Sequence, residues 1–516
     1  MPRGVKRLIM LTHSYLGVAF AVLSVMWFAS GIVLAYNPFP ALYEAERLRL
    51  APPLDCATCR VSEAEARTLV GSLGDDAVES VRLGMLGARP VWRVRNDRGA
   101  WRAVFADSLS IVPMVDSTAG AAIALAFARH RNPASSARVR VKYSATLTSP
   151  DQWTLEEPLP SQLPLLRFEA NDEDDSRIYV SQAGAEVVMY STHRQRTMAW
   201  LGAIPHWIYP TILRRHVSAW SVGIIVLSAL GTVMSLAGIA IGVWQWRWRV
   251  RRTRRGIRGR GTPYRDIVMR WHHMLGLLFG AVVCSWMFSG LMSMNPGHWS
   301  PGSEPGAALH TRWSGTANSS AVRRPGVLDG WRTMSAGGHS IAEIRPERRA
   351  GRPYYNGTTP DGHGFLVAAD STVAAITEPA ESALIDNARR ALAGAPLVDV
   401  RLLVRGDDYY RETEGREIVD PVLRLRFADA HATWLYIDRT TGRLLATFET
   451  RSRVDRWLYT GLHDLDFRWI LDRPPLWDVL VVGLSLGGLI ASLSGAILAW
   501  RWVRDFRRSA PRFRKR

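Results

Sequence analysis

The sequence predicts an α-helical membrane protein: a four-helix transmembrane bundle, internally duplicated, carrying two α+β extracytoplasmic domains. Three observations predict it. Four apolar blocks, at about Leu8 to Tyr36, Ala219 to Trp246, Ile267 to Met294 and Trp477 to Trp500, each supply the roughly 20 residues that a helix needs to cross about 30 Å of hydrocarbon. Lys and Arg crowd one flank of each block. The third block repeats the first: at an offset of 259, His13, Leu16, Gly17, Trp27, Ser30 and Gly31 fall on His272, Leu275, Gly276, Trp286, Ser289 and Gly290.

The first block (residues 1–37 with its short N-terminal flank) follows the basic MPRGVKR. It is too long for a signal-peptide core, lacks a small-residue cleavage site and is repeated internally, so it reads as a retained helix. NPFP ends it, because prolines do not continue a helix. Residues 38–205 then read as an α+β domain. VSEAEARTLVGSLG is a helix with Ser62 as N-cap and Glu65 as its capping-box partner. SVRLGML, RPVWRVRN and WRAVFADS are strands, GAAIALAFARH is a helix, and LLRFEAN and SRIYVSQAGAEVVMYST restart the strand pattern with a hairpin at Gly184. Cys56 and Cys59, as C-A-T-C, suit either a short structural disulfide or a catalytic dithiol. Arg60 stands where c-type haem attachment needs His.

Residues 206–247 carry an interfacial segment and the second helix, and 248–265 form an Arg-rich loop. Residues 266–295 carry the third helix, where Cys284 reads as a small packing residue. In 296–455 a Gly, Pro and Ser-rich stretch to about Gly338 looks loosely structured. ESALIDNARRALAG then reads as a helix, and VDVRLLVR, PVLRLRFAD and TWLYIDRTTGRLLATFE as strands. Residues 456–502 carry the fourth helix, and 503–516 a basic tail. A second repeat, at an offset of 257, maps Arg167, Tyr179, Arg194, Arg196, Trp200, Leu201 and His206 onto Arg424, Tyr436, Arg451, Arg453, Trp457, Leu458 and His463, and continues from Trp220 and Gly238 to Trp477 and Gly495.

The formal charge of +19 does not point to nucleic acid, because its arginines sit beside the apolar blocks. Basic residues mark the cytoplasmic end of a span. The three basic clusters therefore place both termini and the loop 248–265 inside and the two long loops outside.

Of 13 histidines, two pairs coincide under the repeat: His13 with His272 and His206 with His463. Facing helices build cofactor sites from such side chains, and haem iron takes imidazole as an axial ligand. One haem per pair, two in all, is the resulting expectation, with the four histidines as iron ligands and His273 and His216 as alternatives. Gly17 and Gly276 lie one turn after His13 and His272, on the same helix face. They suit either a flat porphyrin or close helix approach. His130, His193, His298, His310, His339, His363 and His431 lack ligand-like spacing and read as surface residues.

H-x-x-L-G opening the odd-numbered helices, L-x-x-x-x-H before the even ones, and small sheet domains outside them together resemble the PepSY-associated transmembrane family. The resemblance implies PepSY-like periplasmic domains, a multi-pass protein of the bacterial inner membrane, and haem-containing ferric-siderophore reductases as relatives. Its implied activity is transmembrane electron transfer by two b-type haems to an acceptor such as siderophore iron, with quinol or a separate reductase as donor. No catalytic acid, base or nucleophile is then needed. The inside segments are too short for a flavin or nicotinamide domain, and no Gly-rich dinucleotide fingerprint is present. The competing expectation is a non-enzymatic regulatory protein whose PepSY-like domains engage a peptidase, transporter or envelope partner.

Overall fold

The computed structural model describes residues 2–73, 78–248, 251–253, 256–258, 261–315, 326–369, 375–411, 419 and 421–509. Two compact units emerge: a helical one (1–39, 197–300 and 454–516) and a β-rich one (40–196 and 301–453).

Four helices long and apolar enough to cross a membrane organise the helical unit. They are the first long helix, Arg3–Leu34, the second, Val217–Gln245, the third, Ile267–Met292, and the fourth, Leu476–Ser509. The first and third each pack against both the second and the fourth, so they face each other across the bundle. Exposed side chains such as Val22, Val226, Leu278 and Ile490 give these helices the apolar outer surface that a lipid environment requires. Small residues admit the large ones: an added Cβ at Gly488 would lie 2.4 Å from the Phe28 ring, and at Gly487 2.3 Å from Phe279. Among the described residues of the Arg-rich loop, β8 (Arg251–Thr253) pairs with β9 (Gly256–Arg258). Residues 249, 250, 254, 255, 259 and 260 of that loop, and 510–516 of the basic tail, lie outside the description.

In the β-rich unit, β1 (Val78–Leu86), β2 (Arg89–Asn96) and β3 (Trp101–Phe105) form a meander. So do β10 (Glu343–Arg349), β11 (Arg352–Thr358) and β12 (Gly364–Ala368). β1 pairs antiparallel with β10, Leu83 opposite Ile344, giving one six-stranded sheet in the order β12-β11-β10-β1-β2-β3. The two long loops, read from the sequence as separate domains, therefore share a sheet and belong to one unit.

Two further meanders complete this unit. One contains β4 (Val141–Leu147), β5 (Leu165–Ala170), β6 (Arg177–Ser181) and β7 (Glu186–Ser191). The other contains β13 (Leu397–Leu403), β14 (Val422–Phe427), β15 (Trp434–Asp438) and β16 (Leu444–Phe448). Each is backed by a helix: Ser117–Arg131 buries Ala124 and Ala128 against Leu166, Phe168 and Ile178, and Glu381–Ala391 buries Leu384 and Ala388 against Leu423, Leu425 and Ile437. Alternating apolar residues on each strand supply that face. The same polar contact occurs in both meanders. Tyr179 donates to Asp151 at 2.9 Å beside Arg167, and Tyr436 donates to Asp407 at 2.9 Å beside Arg424.

The capping box forms as expected, Ser62 and Glu65 each bonding the other's backbone. Cys56 and Cys59 are joined as a disulfide and buried, which favours the structural alternative over a catalytic dithiol. The stretch 296–338 departs from the loose structure expected of it. Ala307–Ser314 and Val327–Ala336 are helical, burying Leu309 and Trp313 in one core and Val327 and Met334 in another. Residues 316–325 lie outside the description.

Where β1 meets β10, charge is buried. Glu343 accepts from Arg47 at 2.7 Å and Arg82 at 3.0 Å and pairs with Arg345 at 2.7 Å, while Arg82 also bonds Glu186. Burial alone would push the Glu343 carboxyl up, but Arg47, Arg345 and Arg82 outweigh it and hold it well below its ordinary range. Removing one member strands the others without water. Glu343→Ala should destabilise the protein by about 3–5 kcal/mol in denaturant unfolding of the detergent-purified chain. Because the folded pKa is depressed, this carboxylate's contribution is full above its unfolded value near 4.5 and is lost only as pH falls below it.

Candidate functional site

Both histidine pairs are brought together. The His13 and His272 rings have centroids 6.2 Å apart, and those of His206 and His463 6.0 Å apart. His13 and His272 face each other from the first and third long helices. His206 and His463 come from connecting segments at the other end of the bundle, level with Ser30 and Ser289. Seventeen helical residues from His13 to Ser30 place the two pairs roughly 25 Å apart.

Different local structures deliver the second pair. His206 ends a short helix, Ala203–His206, that restarts after a break at Gly202. There an added Cβ would approach the Leu34 backbone nitrogen to 3.0 Å. His463 follows a π-helical turn, Trp457–Gly461, a device that re-aims side chains at functional positions.

All four rings commit the same nitrogen. His13 Nδ1 lies 3.0 Å from the Met234 carbonyl, and His206 Nδ1 3.1 Å from the Trp27 carbonyl. His272 Nδ1 lies 3.0 Å from Ser494 Oγ, and His463 Nδ1 2.9 Å from Ser289 Oγ. A carbonyl only accepts, and each of these serines donates its own proton to a carbonyl one turn back, Ala491 or Trp286. Every Nδ1 is therefore the N–H donor, and every Nε2 carries the lone pair that binds metal.

Glycines make the room for three rings: an added Cβ at Gly238 would lie 2.7 Å from His13 Cε1, at Gly495 3.2 Å from His272 Cε1 and at Gly31 3.1 Å from His206 Cε1, while at Gly290 it would meet His463 Cε1 at an ordinary contact distance of 3.7 Å. These contacts repeat at the sequence offsets, as does Trp220 Nε1 to the Trp207 carbonyl with Trp477 Nε1 to the Asp464 carbonyl. Beside Gly17 and Gly276 no atom lies within 4 Å of an added Cβ, so these two leave open space on the face that bears His13 and His272.

The arrangement fits a planar iron cofactor. Two imidazoles sharing one iron at about 2 Å per nitrogen have ring centres about 6 Å apart. The alternative ligands are placed otherwise. His273 is buried with Nδ1 on Thr262 Oγ1 at 2.9 Å and Nε2 on the Gly242 carbonyl at 3.0 Å, and His216 is an exposed N-cap of the second helix. Among the described residues, no group of three or more His, Cys, Asp or Glu is arranged for a bare metal ion. Sequence reasoning missed Ser494 because its counterpart under the repeat is Ala237.

Four apolar spanning helices and an α+β unit define a polytopic membrane protein with paired imidazoles inside its bundle. The family described as the PepSY-associated TM region matches residues 10–360, and the chain belongs to that family. Comparison with curated proteins gave no match.

Gly238→Ala should displace the His13 ring and destabilise the bundle by about 1–3 kcal/mol, whereas Gly17→Ala, which meets open space, should leave stability unchanged. Thermal unfolding in detergent compares the two variants directly.

Proposed function

We propose that this protein carries electrons across a bacterial inner membrane and reduces an external acceptor, such as iron chelated by a siderophore. The observation that carries the reading is the pair geometry: ring centres 6.2 and 6.0 Å apart, with Nδ1 of all four histidines already bonded. His13 and His272 would hold one b-type haem and His206 and His463 a second, each supplying a one-electron iron couple when bound. The protein's own part is to fix the imidazole tautomers, to exclude water from the bundle and to leave Gly17 and Gly276 bare beside the first site. Polar side chains within a bilayer are costly and are retained for such work.

The basic flanks orient the chain with both termini and the 248–265 loop in the cytoplasm and the β-rich unit in the periplasm. The two halves descend from one duplicated unit, a reading supported by the repeated Tyr–Asp–Arg, Trp–carbonyl and Gly–His contacts. Electrons are supplied by membrane quinol or a separate reductase.

A purified protein with a Soret band and two haems per chain is expected. A colourless protein would favour the regulatory alternative, in which the β-rich unit engages another envelope protein. His13→Ala or His272→Ala should each remove about half the haem, and His206→Ala or His463→Ala the other half. Four variants that all keep two six-coordinate haems would refute the ligand set. For orientation, a cysteine introduced near residue 258 should resist an impermeant thiol reagent in intact cells and react after lysis.

A further inference from the structure

The two halves of the chain do not treat their histidines alike. In the first half the imidazole Nδ1–H reaches a main-chain carbonyl directly, His13 to Met234 at 3.0 Å and His206 to Trp27 at 3.1 Å. In the second half the equivalent carbonyls, Ala491 and Trp286, are joined by a serine hydroxyl as partner of the ring. His272 bonds Ser494 Oγ at 3.0 Å, which donates on to the Ala491 carbonyl at 2.6 Å, and His463 bonds Ser289 Oγ at 2.9 Å, which donates on to the Trp286 carbonyl at 3.2 Å. Each facing pair thus contains one ring, His272 or His463, with a serine hydroxyl within 3.0 Å of Nδ1.

Sequence alone conceals this. Ser494 corresponds to Ala237 within otherwise matching S-L-S-G and S-L-A-G segments. Ser289 corresponds to Ser30, but Ser30 Oγ lies 3.4 Å from His206 Nδ1 and spends its proton on the Met26 carbonyl at 2.6 Å. Both serines are buried, Ser494 at 8% and Ser289 at 0% exposure.

We infer that Ser494 and Ser289 are positioning residues that tune the iron couples, one at each pair, by adding a hydroxyl acceptor to the main-chain carbonyl that already bonds His272 or His463. The inference rests on the di-haem reading. An acceptor on the distal nitrogen of a metal-bound imidazole makes that ligand more basic and fixes its orientation. A more basic axial ligand favours ferric over ferrous iron, so each serine holds its site at a lower reduction potential than the same histidine would give without it. The two serines lie on different helices at opposite ends of the bundle, which allows the two potentials to be set independently.

Spectroelectrochemical titration of the full-length, detergent-purified protein tests this with Ser494→Ala, Ser289→Ala, Ser494→Thr and Ser289→Thr. Alanine at 494 is compatible with the helix, since Ala237 occupies the equivalent place. Each alanine variant should keep two haems and raise one midpoint potential, Ser494→Ala moving one transition and Ser289→Ala the other. The threonine variants, which retain the hydroxyl, should stay close to the parent. Two haems with midpoints unchanged or lowered in both alanine variants would overturn the assignment while leaving the di-haem reading intact. A parent protein that binds no haem would overturn both.

Discussion

Holding two imidazoles with ring centres about 6 Å apart is the constraint on which the helical unit depends. Each ring needs an acceptor for its Nδ1–H, or a buried polar group goes unpaired at a cost of about 1–3 kcal/mol. Three of the four also need a neighbour small enough to let them in. The second and fourth helices supply both to the first pair: Met234 and Gly238 serve His13, and Ser494 and Gly495 serve His272. The first and third helices serve the second pair, through Trp27 and Gly31 for His206 and through Ser289 for His463. The first and third helices must therefore face each other across the bundle.

The β-rich unit answers a different constraint. Its six-stranded sheet is completed only when strands from two chain segments far apart in sequence pair at Leu83 and Ile344. Buried Glu343 then sits among Arg47, Arg82 and Arg345. Such a cluster contributes little net stability compared with an apolar seam, but it penalises any register that leaves one charge without its partners. The seam thereby favours one pairing of the two loops.

Much of this was legible in the chain. The four spans follow from length and apolar content, the capping box from Ser62 and Glu65, and the strands from 80 to 105 and from 397 to 448 from alternating apolar residues. The histidine pairing came from the repeat itself. What escaped was written in residues whose meaning depends on distant partners. EIRPERR, in β10, has no apolar alternation because its charges are neutralised across the sheet. The helices Ala307–Ser314 and Val327–Ala336 are short and Gly-flanked, and they are stabilised by the cores that bury Trp313 and Met334.

The sequence by itself determined the number of spans, the family resemblance and which histidines correspond, because hydropathy and internal repetition are local or self-referential properties. Only the tertiary structure decided that corresponding histidines face each other, that His273 has both nitrogens engaged, that Ser494 rather than its alanine counterpart touches an imidazole, and that the two long loops share one sheet. Each of these depends on which atoms of remote segments meet within hydrogen-bonding distance, and that is fixed by packing and polar satisfaction across the whole fold.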